Sequence, residues 1–228
     1  MIEANGFSAG YDGVPVVDGL DLTIPAGQLV ALLGRNGMGK TTLLRTLAGH
    51  LPRIGGELRL GGAPLRSGRA DLAARAGISM LPDDRGVFPK LTVSENLRLA
   101  RRRDWTPPVD LESMFPVITE RANVAAGDLS GGQKQQLGLA RAMLAGQRAI
   151  LVDEFSQGLQ PSIVRGVLDA CRTLAAAGIT ILLVDQSPEP LVEYADRVLA
   201  MEKGRIVLDE SAADVRADMD RLLGFLVV

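Results

Sequence analysis

The sequence contains only one cysteine, Cys171, among its 228 residues. A lone cysteine excludes an internal disulfide framework and fits a reducing compartment. Long apolar runs are also missing, because none approaches the ~20 residues that span a bilayer, and the N-terminus lacks the basic and then apolar pattern of a secretory signal. We therefore expect a soluble cytoplasmic chain, with any membrane role arising through a partner.

An excess of charge of either sign is absent as well. The 25 lysines and arginines and the 27 aspartates and glutamates leave a net charge of −2. The composition therefore lacks the excess of positive charge that is typical of nucleic-acid-binding proteins, and we expect no nucleic-acid partner. The length suits one compact α/β unit with a sizeable core and a small subdomain.

Strand patterns dominate the first part of the chain. Residues 20–24 alternate apolar and polar side chains, which predicts a strand buried on one face, with Asp18 and Gly19 as a turn before it. Residues 28–33 form a nearly continuous apolar run, typical of a central strand covered on both faces. Residues 55–62 are predicted to form a short strand between glycine turns.

The last third of the chain shows a strand-then-helix pattern. Residues 149–152 predict a short buried strand, and Pro161 then starts a helix that carries Cys171 on its apolar face. Cys171 is therefore expected to be a core residue. Residues 179–184 predict the next strand, and residues 197–208 a terminal hairpin.

The segment between these parts has a different character. Residues 90–146 are predicted to form a helical subdomain inserted into the α/β core, which comprises residues 1–89 and 147–228. Thr92 and Glu95 match a capping box that opens a helix in this segment.

The central motif is a phosphate-binding loop with the spacing G-x-x-x-x-G-K-[ST], preceded by a predicted strand and followed by a helical pattern. It comprises Gly34, Arg35, Asn36, Gly37, Met38, Gly39, Lys40, Thr41 and Thr42. The glycines let successive N–H groups point at phosphate oxygens, and the helix N-terminus adds its positive dipole end. Lys40 is expected to reach the β- and γ-phosphates and Thr41 to bind Mg²⁺. The alternative is a glycine-rich turn with an incidental lysine, which the flanking strand and helix disfavour.

A second motif, Leu-Ser-Gly-Gly-Gln at 129–133, opens another predicted helix. Ser130 and Gln133 match a capping box. The two glycines between them are poor helix formers. They are explained if bare N–H groups and the helix dipole must approach a phosphate closely.

With these motifs the sequence resembles the ATP-binding-cassette family, whose signature is Leu-Ser-Gly-Gly-Gln. The resemblance implies an ATPase in which one helix end presses on the γ-phosphate of ATP held by a second subunit. That helix end comprises Ser130, Gly131, Gly132 and Gln133. Each site is then shared across a head-to-tail homodimer, or a heterodimer with a paralogous subunit. The expected fold is an α/β P-loop core with a RecA-like, mostly parallel sheet, an N-terminal antiparallel β part and the inserted helical subdomain.

Two acids, Asp153 and Glu154, follow the predicted strand at 149–152. They lie at the carboxyl edge of the predicted sheet, where ligands of α/β proteins bind. Asp153 is expected to hold Mg²⁺ through water, and Glu154 to orient and deprotonate the attacking water. The alternative is that the two acids only cap a loop. Family members usually carry proline next, and Phe155 departs from that pattern.

Two further site residues depend on the resemblance alone. It places Tyr11 where an aromatic ring stacks on adenine, whereas local packing near a turn is the alternative for this residue. Asp83 stands where the family has the glutamine or glutamate of a loop that senses Mg²⁺ and the transporter partner. Its shorter side chain favours a bridging water over direct contact with the metal.

The family commonly places a histidine at the position of Gln186, where it touches the γ-phosphate. Glutamine can hydrogen-bond phosphate and water, but it cannot carry a proton near neutral pH.

The only histidine of the chain, His50, is expected to be exposed at a helix end. We therefore expect the pH profile of ATP hydrolysis to lack a histidine-like limb between about pH 6 and 7. A limb that disappears in Gln186→Ala would contradict this assignment.

Three features resemble the ATP-binding subunits of branched-chain amino acid importers: the segment 82–97, the Gly-Leu-x-Pro at 158–161 and Gln186. The ATP-binding subunits of urea and short-amide importers are very similar in these features. This resemblance implies integral membrane permease subunits as partners, a solute-binding protein as an indirect partner, and a place on the inner face of the cell membrane. Two alternatives stay open. One is a cassette ATPase acting on DNA or ribosomes, and the other is a nucleotide-dependent regulator with impaired hydrolysis, suggested by Gln186, Asp83 and Gln160.

Overall fold

The computed structural model describes residues 1–185 and 187–226, which form two sheets and the helices around them. The strands are β1 Ile2–Tyr11, β2 Val14–Ile24, β3 Leu29–Leu33, β4 Arg53–Leu60, β5 Ala63–Pro64, β6 Ile78–Leu81, β7 Ala149–Val152, β8 Thr180–Val184, β9 Arg197–Glu202 and β10 Arg205–Ser211. The helices are α1 Lys40–Leu47, α2 Ala70–Arg75, α3 Val93–Ala100, α4 Leu111–Met114, α5 Val117–Glu120, α6 Gly131–Ala145, α7 Pro161–Ala176, α8 Pro188–Tyr194, α9 Ala212–Ala217 and α10 Met219–Leu226.

The smaller sheet is antiparallel and has the strand order β2-β1-β4-β5. The larger sheet has the order β10-β9-β3-β8-β7-β6, in which only the edge strand β10 runs antiparallel to its neighbour. This arrangement confirms the predicted fold class, with an N-terminal antiparallel part beside a mostly parallel sheet. Among the described residues, no helix has the length and apolar character needed to cross a membrane.

Strand β3 is buried on both faces, as its continuous apolar run predicts. Leu29, Ala31 and Leu33 face a core shared with α3, α6 and α7, while Val30 and Leu32 face a core shared with α1 and the antiparallel sheet. Because both faces of β3 are covered, the strand holds the start of the phosphate-binding loop at 34–39 in a defined position.

The predicted turn at Asp18 and Gly19 is wrong, because both residues lie inside β2. The turn instead falls at Asp12 and Gly13, whose φ angles are 50° and 79°. At Asp18 and Gly19 the pairing with β1 is irregular: the Ser8 hydroxyl donates to Asp18 Oδ1 at 3.1 Å and accepts from the Gly19 N–H at 2.9 Å. A β-bulge uses the same polar and glycine residues as a turn, so local composition does not distinguish the two.

The strand predicted at 55–62 begins earlier, at Arg53, so Gly55 and Gly56 belong to the strand, whereas Gly61 and Gly62 form the predicted turn after it. Gly56 has a φ of 76°, and a Cβ there would lie 2.2 Å from the carbonyl oxygen of Gly6 in β1. Glycine is therefore required because two backbones approach closely at this irregular point of the sheet.

Other local predictions are confirmed. The capping box of Thr92 and Glu95 opens α3, and Pro161 is at the start of α7. Cys171 is 2% exposed, and burial raises the pKa of its thiol to about 12, as expected for a core residue. His50 is exposed just beyond α1.

Candidate functional site

The phosphate-binding loop connects β3 to α1, and glycines set its backbone. Gly37 and Gly39 have φ angles of 79° and 102°, in the left-handed region that favours glycine. Gly34 lies so close to β9 that a Cβ there would be 2.5 Å from the carbonyl oxygen of Met201. Gly39 is also the N-cap of α1 and supplies no side-chain acceptor. The first amides of α1 are therefore left for an anionic ligand.

Lys40 begins α1, and its side chain turns back into the loop. It is 7% exposed, and its Nζ donates to the carbonyl oxygens of Gly34 at 2.5 Å and Arg35 at 2.8 Å. Burial lowers the pKa of Lys40, while the carboxylates of Asp153 and Glu154 act in the opposite direction. Because two neutral carbonyls hold the ammonium, phosphate oxygens would offer it stronger, charge-assisted hydrogen bonds.

Asp153 follows β7 directly and is 2% exposed. The Thr41 hydroxyl hydrogen-bonds to its side chain, whereas Oδ2 is buried without a hydrogen-bond donor among the described residues. Burial raises the pKa of Asp153, and the negative charges of Asp83 and Glu154 act in the same direction.

These features of Asp153 and Thr41 fit a magnesium ion. A buried carboxylate oxygen without a donor, next to a hydroxyl, suits a hard divalent cation that also keeps water and phosphate ligands. Within the described part of the chain, no group of three or more histidine, cysteine, aspartate or glutamate side chains is arranged to hold a metal by itself. Phosphate oxygens of the nucleotide would therefore complete such a site.

A cavity of about 250 Å³ joins these residues at the carboxyl ends of β3, β7 and β8. It is lined by Tyr11, Val16, Asn36, Gly37, Gly39, Lys40, Thr41, Thr42, Asp153, Glu154, Val184 and Asp185. The structure thus brings the phosphate loop, both acids and Tyr11 to one place. An amide-lined loop with a lysine on one side and carboxylates on the other can hold a polyphosphate together with a cation.

Glu154 has a left-handed backbone, with a φ of 49°, which is uncommon for a residue other than glycine. Its carbonyl oxygen accepts from Gln135 Nε2 at 3.0 Å, and the same nitrogen donates to the carbonyl oxygen of Phe155 at 3.1 Å. The sequence analysis did not identify Gln135, which lies two positions beyond the signature. A signal was present, because Gln135 shares one face of α6 with the buried Leu139 and Met143.

The loop after β8 contacts the loop that holds Glu154. Asp185 accepts from the Ser156 N–H through Oδ2 at 3.0 Å and from the Ser187 N–H through Oδ1 at 3.1 Å. Gln186, predicted to contact the γ-phosphate, follows Asp185 in the chain and lies outside the described residues. Asp185 therefore links two loops at the edge of the cavity, a role that the sequence analysis did not assign.

The signature residues form the N-terminus of α6. The Gln133 N–H donates to Ser130 Oγ at 3.3 Å and the Ser130 N–H donates to Gln133 Oε1 at 3.0 Å, which confirms the capping box. Ser130 and Gly131 are exposed, and no signature residue lines the cavity at the phosphate loop. Within one chain, the two predicted phosphate-binding elements are therefore apart.

The two signature glycines have different surroundings. A Cβ on Gly132 would lie 2.4 Å from the carbonyl oxygen of Gly158, whereas a Cβ on Gly131 would meet Arg85 Nη2 at 3.6 Å, an ordinary contact. The absence of a side chain at Gly132 therefore has a packing reason within the chain. Sequence reasoning explained both glycines by the approach of a phosphate.

The matched substitutions Gly132→Ala and Gly131→Ala should separate these reasons. Overpacking against Gly158 is expected to destabilise Gly132→Ala by about 1–3 kcal/mol. Gly131→Ala is expected to stabilise the nucleotide-free protein by roughly 0.5–1 kcal/mol, because alanine is the better helix former. Denaturant midpoints of the two variants test this, and equal midpoints would contradict the packing role of Gly132.

Tyr11 and Asp83 lie at the margin of the site. Tyr11 lines the cavity and is 46% exposed, so its ring is accessible for stacking. Asp83 is not among the residues that line the cavity, and its Oδ1 accepts from Arg45 Nη2 at 2.8 Å. Its place in the metal site remains a prediction.

The chain is similar to a known protein family and to curated transport proteins. The family described as ABC transporter matches residues 17–157. The high-affinity branched-chain amino acid transport ATP-binding protein BraG of Pseudomonas aeruginosa is 33% identical over 218 residues, covering 93% of this chain and 94% of that protein. The aliphatic sulfonates import ATP-binding protein SsuB of Pseudomonas entomophila is 38% identical, covering 91% of this chain and 75% of that protein.

Solved structures agree with the fold. A nucleotide-free ATP-binding cassette from an ABC transporter superposes with a TM-score of 0.82 at 19% identity, covering 100% of this chain and 99% of that one. A dimeric bacterial ABC transporter cassette superposes with a TM-score of 0.81 at 20% identity, covering 93% and 99%. At these identities the likeness concerns the fold.

Proposed function

This chain belongs to the ABC transporter family as an ATP-binding subunit whose ATP hydrolysis is coupled to transport, and we propose that it serves an importer of branched-chain amino acids. The observation that carries the cargo class is the correspondence with the branched-chain amino acid relative along 94% of that protein's length. Aliphatic sulfonates are the second candidate, supported by relatives of up to 39% identity that the chain matches over a smaller share of their length.

Two cassettes are proposed to form each ATP site, either two copies of this chain or one copy and a paralogous subunit. The signature residues are exposed and lie outside the cavity, so a second cassette is needed to bring a helix N-terminus onto the phosphates. The dimeric cassette among the solved structures shows that a chain of this fold can pair. Ser130 through its hydroxyl, and Gly131 through its bare N–H, would then contact the γ-phosphate from the far side.

The residues of the cavity suit hydrolysis of ATP. Lys40 would exchange its two carbonyl partners for β- and γ-phosphate oxygens, and Tyr11 offers a ring for adenine. Thr41 and Asp153 would hold Mg²⁺, which neutralises charge on the phosphates when bound. Glu154 would accept a proton from the attacking water.

The proposed contact with permease subunits is a groove between the core and the helical segment. It is a cavity of about 500 Å³, and four arginines line it: Arg85, Arg101, Arg102 and Arg141. No aspartate or glutamate of the described residues lines it, whereas the exposed Leu99 does. Such a surface fits a membrane-subunit segment with an apolar face and acidic ends. Binding there would keep the chain on the inner face of the membrane.

Purification of the chain with its native membrane partners tests the proposed function. We expect integral membrane subunits to co-purify and phosphate release to be stimulated by a solute receptor loaded with leucine or isoleucine. Stimulation by an alkanesulfonate would favour the sulfonate class, and stimulation by urea or a short amide would favour the urea and short-amide importers that the sequence also resembles. A chain that binds ATP but releases no phosphate, with or without membrane subunits, would instead be a nucleotide-dependent regulator.

A further inference from the structure

Arg85 lies in the turn between β6 and the helical segment, in a conformation that its sequence does not favour. Its φ is 68°, and its N–H donates to the carbonyl oxygen of Pro82 at 2.9 Å to close the turn. A left-handed arginine is held by its surroundings, because the backbone alone disfavours it. The next residue, Gly86, also has a positive φ, of 53°, but glycine adopts this conformation without steric cost. The left-handed conformation therefore needs an explanation only at Arg85.

The side chain of Arg85 extends from the groove to the turn at 154–157, which contains Glu154. It lines the groove, and its Nη2 contacts Gln157 Oε1 at 3.4 Å. The same nitrogen faces Gly131 at the start of α6. Its Nε is buried and has no acceptor among the described residues. Buried donors without a partner are uncommon in proteins. Hydrogen bonding alone therefore does not explain why the Arg85 guanidinium occupies this position.

Gln157 belongs to the turn that begins at Glu154. The Gln157 N–H donates to the carbonyl oxygen of Glu154 at 3.3 Å, and Gln135 donates to that same oxygen from α6. The carbonyl oxygen of Glu154 thus accepts one bond from inside the turn and one from α6, and Asp185 holds the same turn from the loop after β8. Arg85 adds a contact from the groove side, to the exposed side chain of Gln157.

We propose that Arg85 is a positioning residue for Glu154, acting through Gln157 to hold the turn 154–157 with Glu154 in its left-handed conformation. The proposal rests on the proposed function, in which Glu154 is the base that accepts a proton from water. Arg85 touches neither nucleotide nor water in this scheme. Its loss should affect the rate of hydrolysis rather than the binding of ATP, because the phosphate loop is left intact.

Kinetics of the full-length protein test the proposal with Arg85→Ala, Gln157→Ala and the double variant. Each single change is expected to lower kcat about fivefold with KM for ATP changed less than about twofold, and the double variant should be no slower than the slower single one. Arg66→Ala is the matched control, because Arg66 is an exposed arginine that lines neither the cavity nor the groove. Multiplying effects in the double variant, or an unchanged kcat in Arg85→Ala, would overturn the proposal.

Hydrogen exchange of the nucleotide-free protein gives a readout that does not depend on activity. Amides at 155–158 are expected to exchange about fivefold faster in Arg85→Ala and at the wild-type rate in Arg66→Ala. Should Arg85→Ala fail to fold, Gln157→Glu replaces it: the carboxylate keeps the contact with Arg85, so kcat should stay within about twofold of wild type while Gln157→Ala is slow. Equal rates for these two variants would overturn the proposal. Unchanged turnover in Glu154→Gln would instead exclude Glu154 as the base, which is the part of the proposed function on which this proposal rests.

Discussion

Replacing Glu154 by glutamine is expected to lower kcat for ATP hydrolysis about 100-fold or more, which is the usual contribution of a positioned general base. Glutamine has nearly the same size but no basic oxygen, so the attacking water keeps its proton. The carbonyl of residue 154 and its bond from Gln135 stay unchanged, and the turn should therefore keep its shape. Steady-state phosphate release measures the effect.

The same Glu154→Gln variant should retain ATP and accumulate as a closed dimer, because binding uses the phosphate loop and the signature residues. Light scattering with Mg-ATP is expected to show twice the mass of the nucleotide-free protein. Glu120→Gln is the matched control, since Glu120 is an exposed glutamate at the end of α5 and should leave both kcat and mass unchanged. A kcat within threefold of wild type in Glu154→Gln would exclude Glu154 as the base.

Replacing Lys40 by methionine is expected to weaken ATP binding about 100-fold, equivalent to about 2.7 kcal/mol. The substitution keeps an unbranched side chain in the buried position but removes the ammonium that would contact the β- and γ-phosphates. Loss of one partner from a buried, hydrogen-bonded charge pair commonly costs 2–5 kcal/mol, about the size expected here. Calorimetric titration with ATP at fixed salt concentration measures the change.

The structure also predicts a secondary effect of Lys40→Met in the absence of nucleotide. The bonds from Nζ to Gly34 and Arg35 disappear, so amides at 34–39 should exchange faster with solvent than in wild type. Lys90→Met is the control, because Lys90 is exposed and lies away from the cavity lining. An ATP dissociation constant for Lys40→Met within threefold of the wild-type value would refute the assigned contact.

Much of the fold follows from local pattern. The continuous apolar run of β3 requires cover on both faces, and the structure places a separate core on each side. The capping boxes at Thr92 and Ser130 act within four residues, so they can be recognised from spacing alone. The same holds for the phosphate loop, since its strand, glycines and helix are contiguous.

Local pattern was insufficient where glycine or a polar residue serves more than one purpose. Asp18 and Gly19 have the composition of a turn but form a bulge, because the register with β1 decides which one occurs. Gly132 was explained by a phosphate, yet the nearby carbonyl of Gly158 gives it a packing reason that only the folded chain reveals. In both cases the deciding contact comes from a distant part of the sequence.

The sequence by itself determined the nucleotide chemistry of this protein, because a phosphate loop, a capped glycine helix start and two acids after a strand are each short-range patterns. Tertiary structure decided which side chains hold that chemistry in place. Gln135 reaches Glu154 across 19 positions, and Arg85 reaches Gln157 across 72. Such contacts arise from how helices and loops pack on the sheet, and packing is a property of the whole chain that periodicity does not encode.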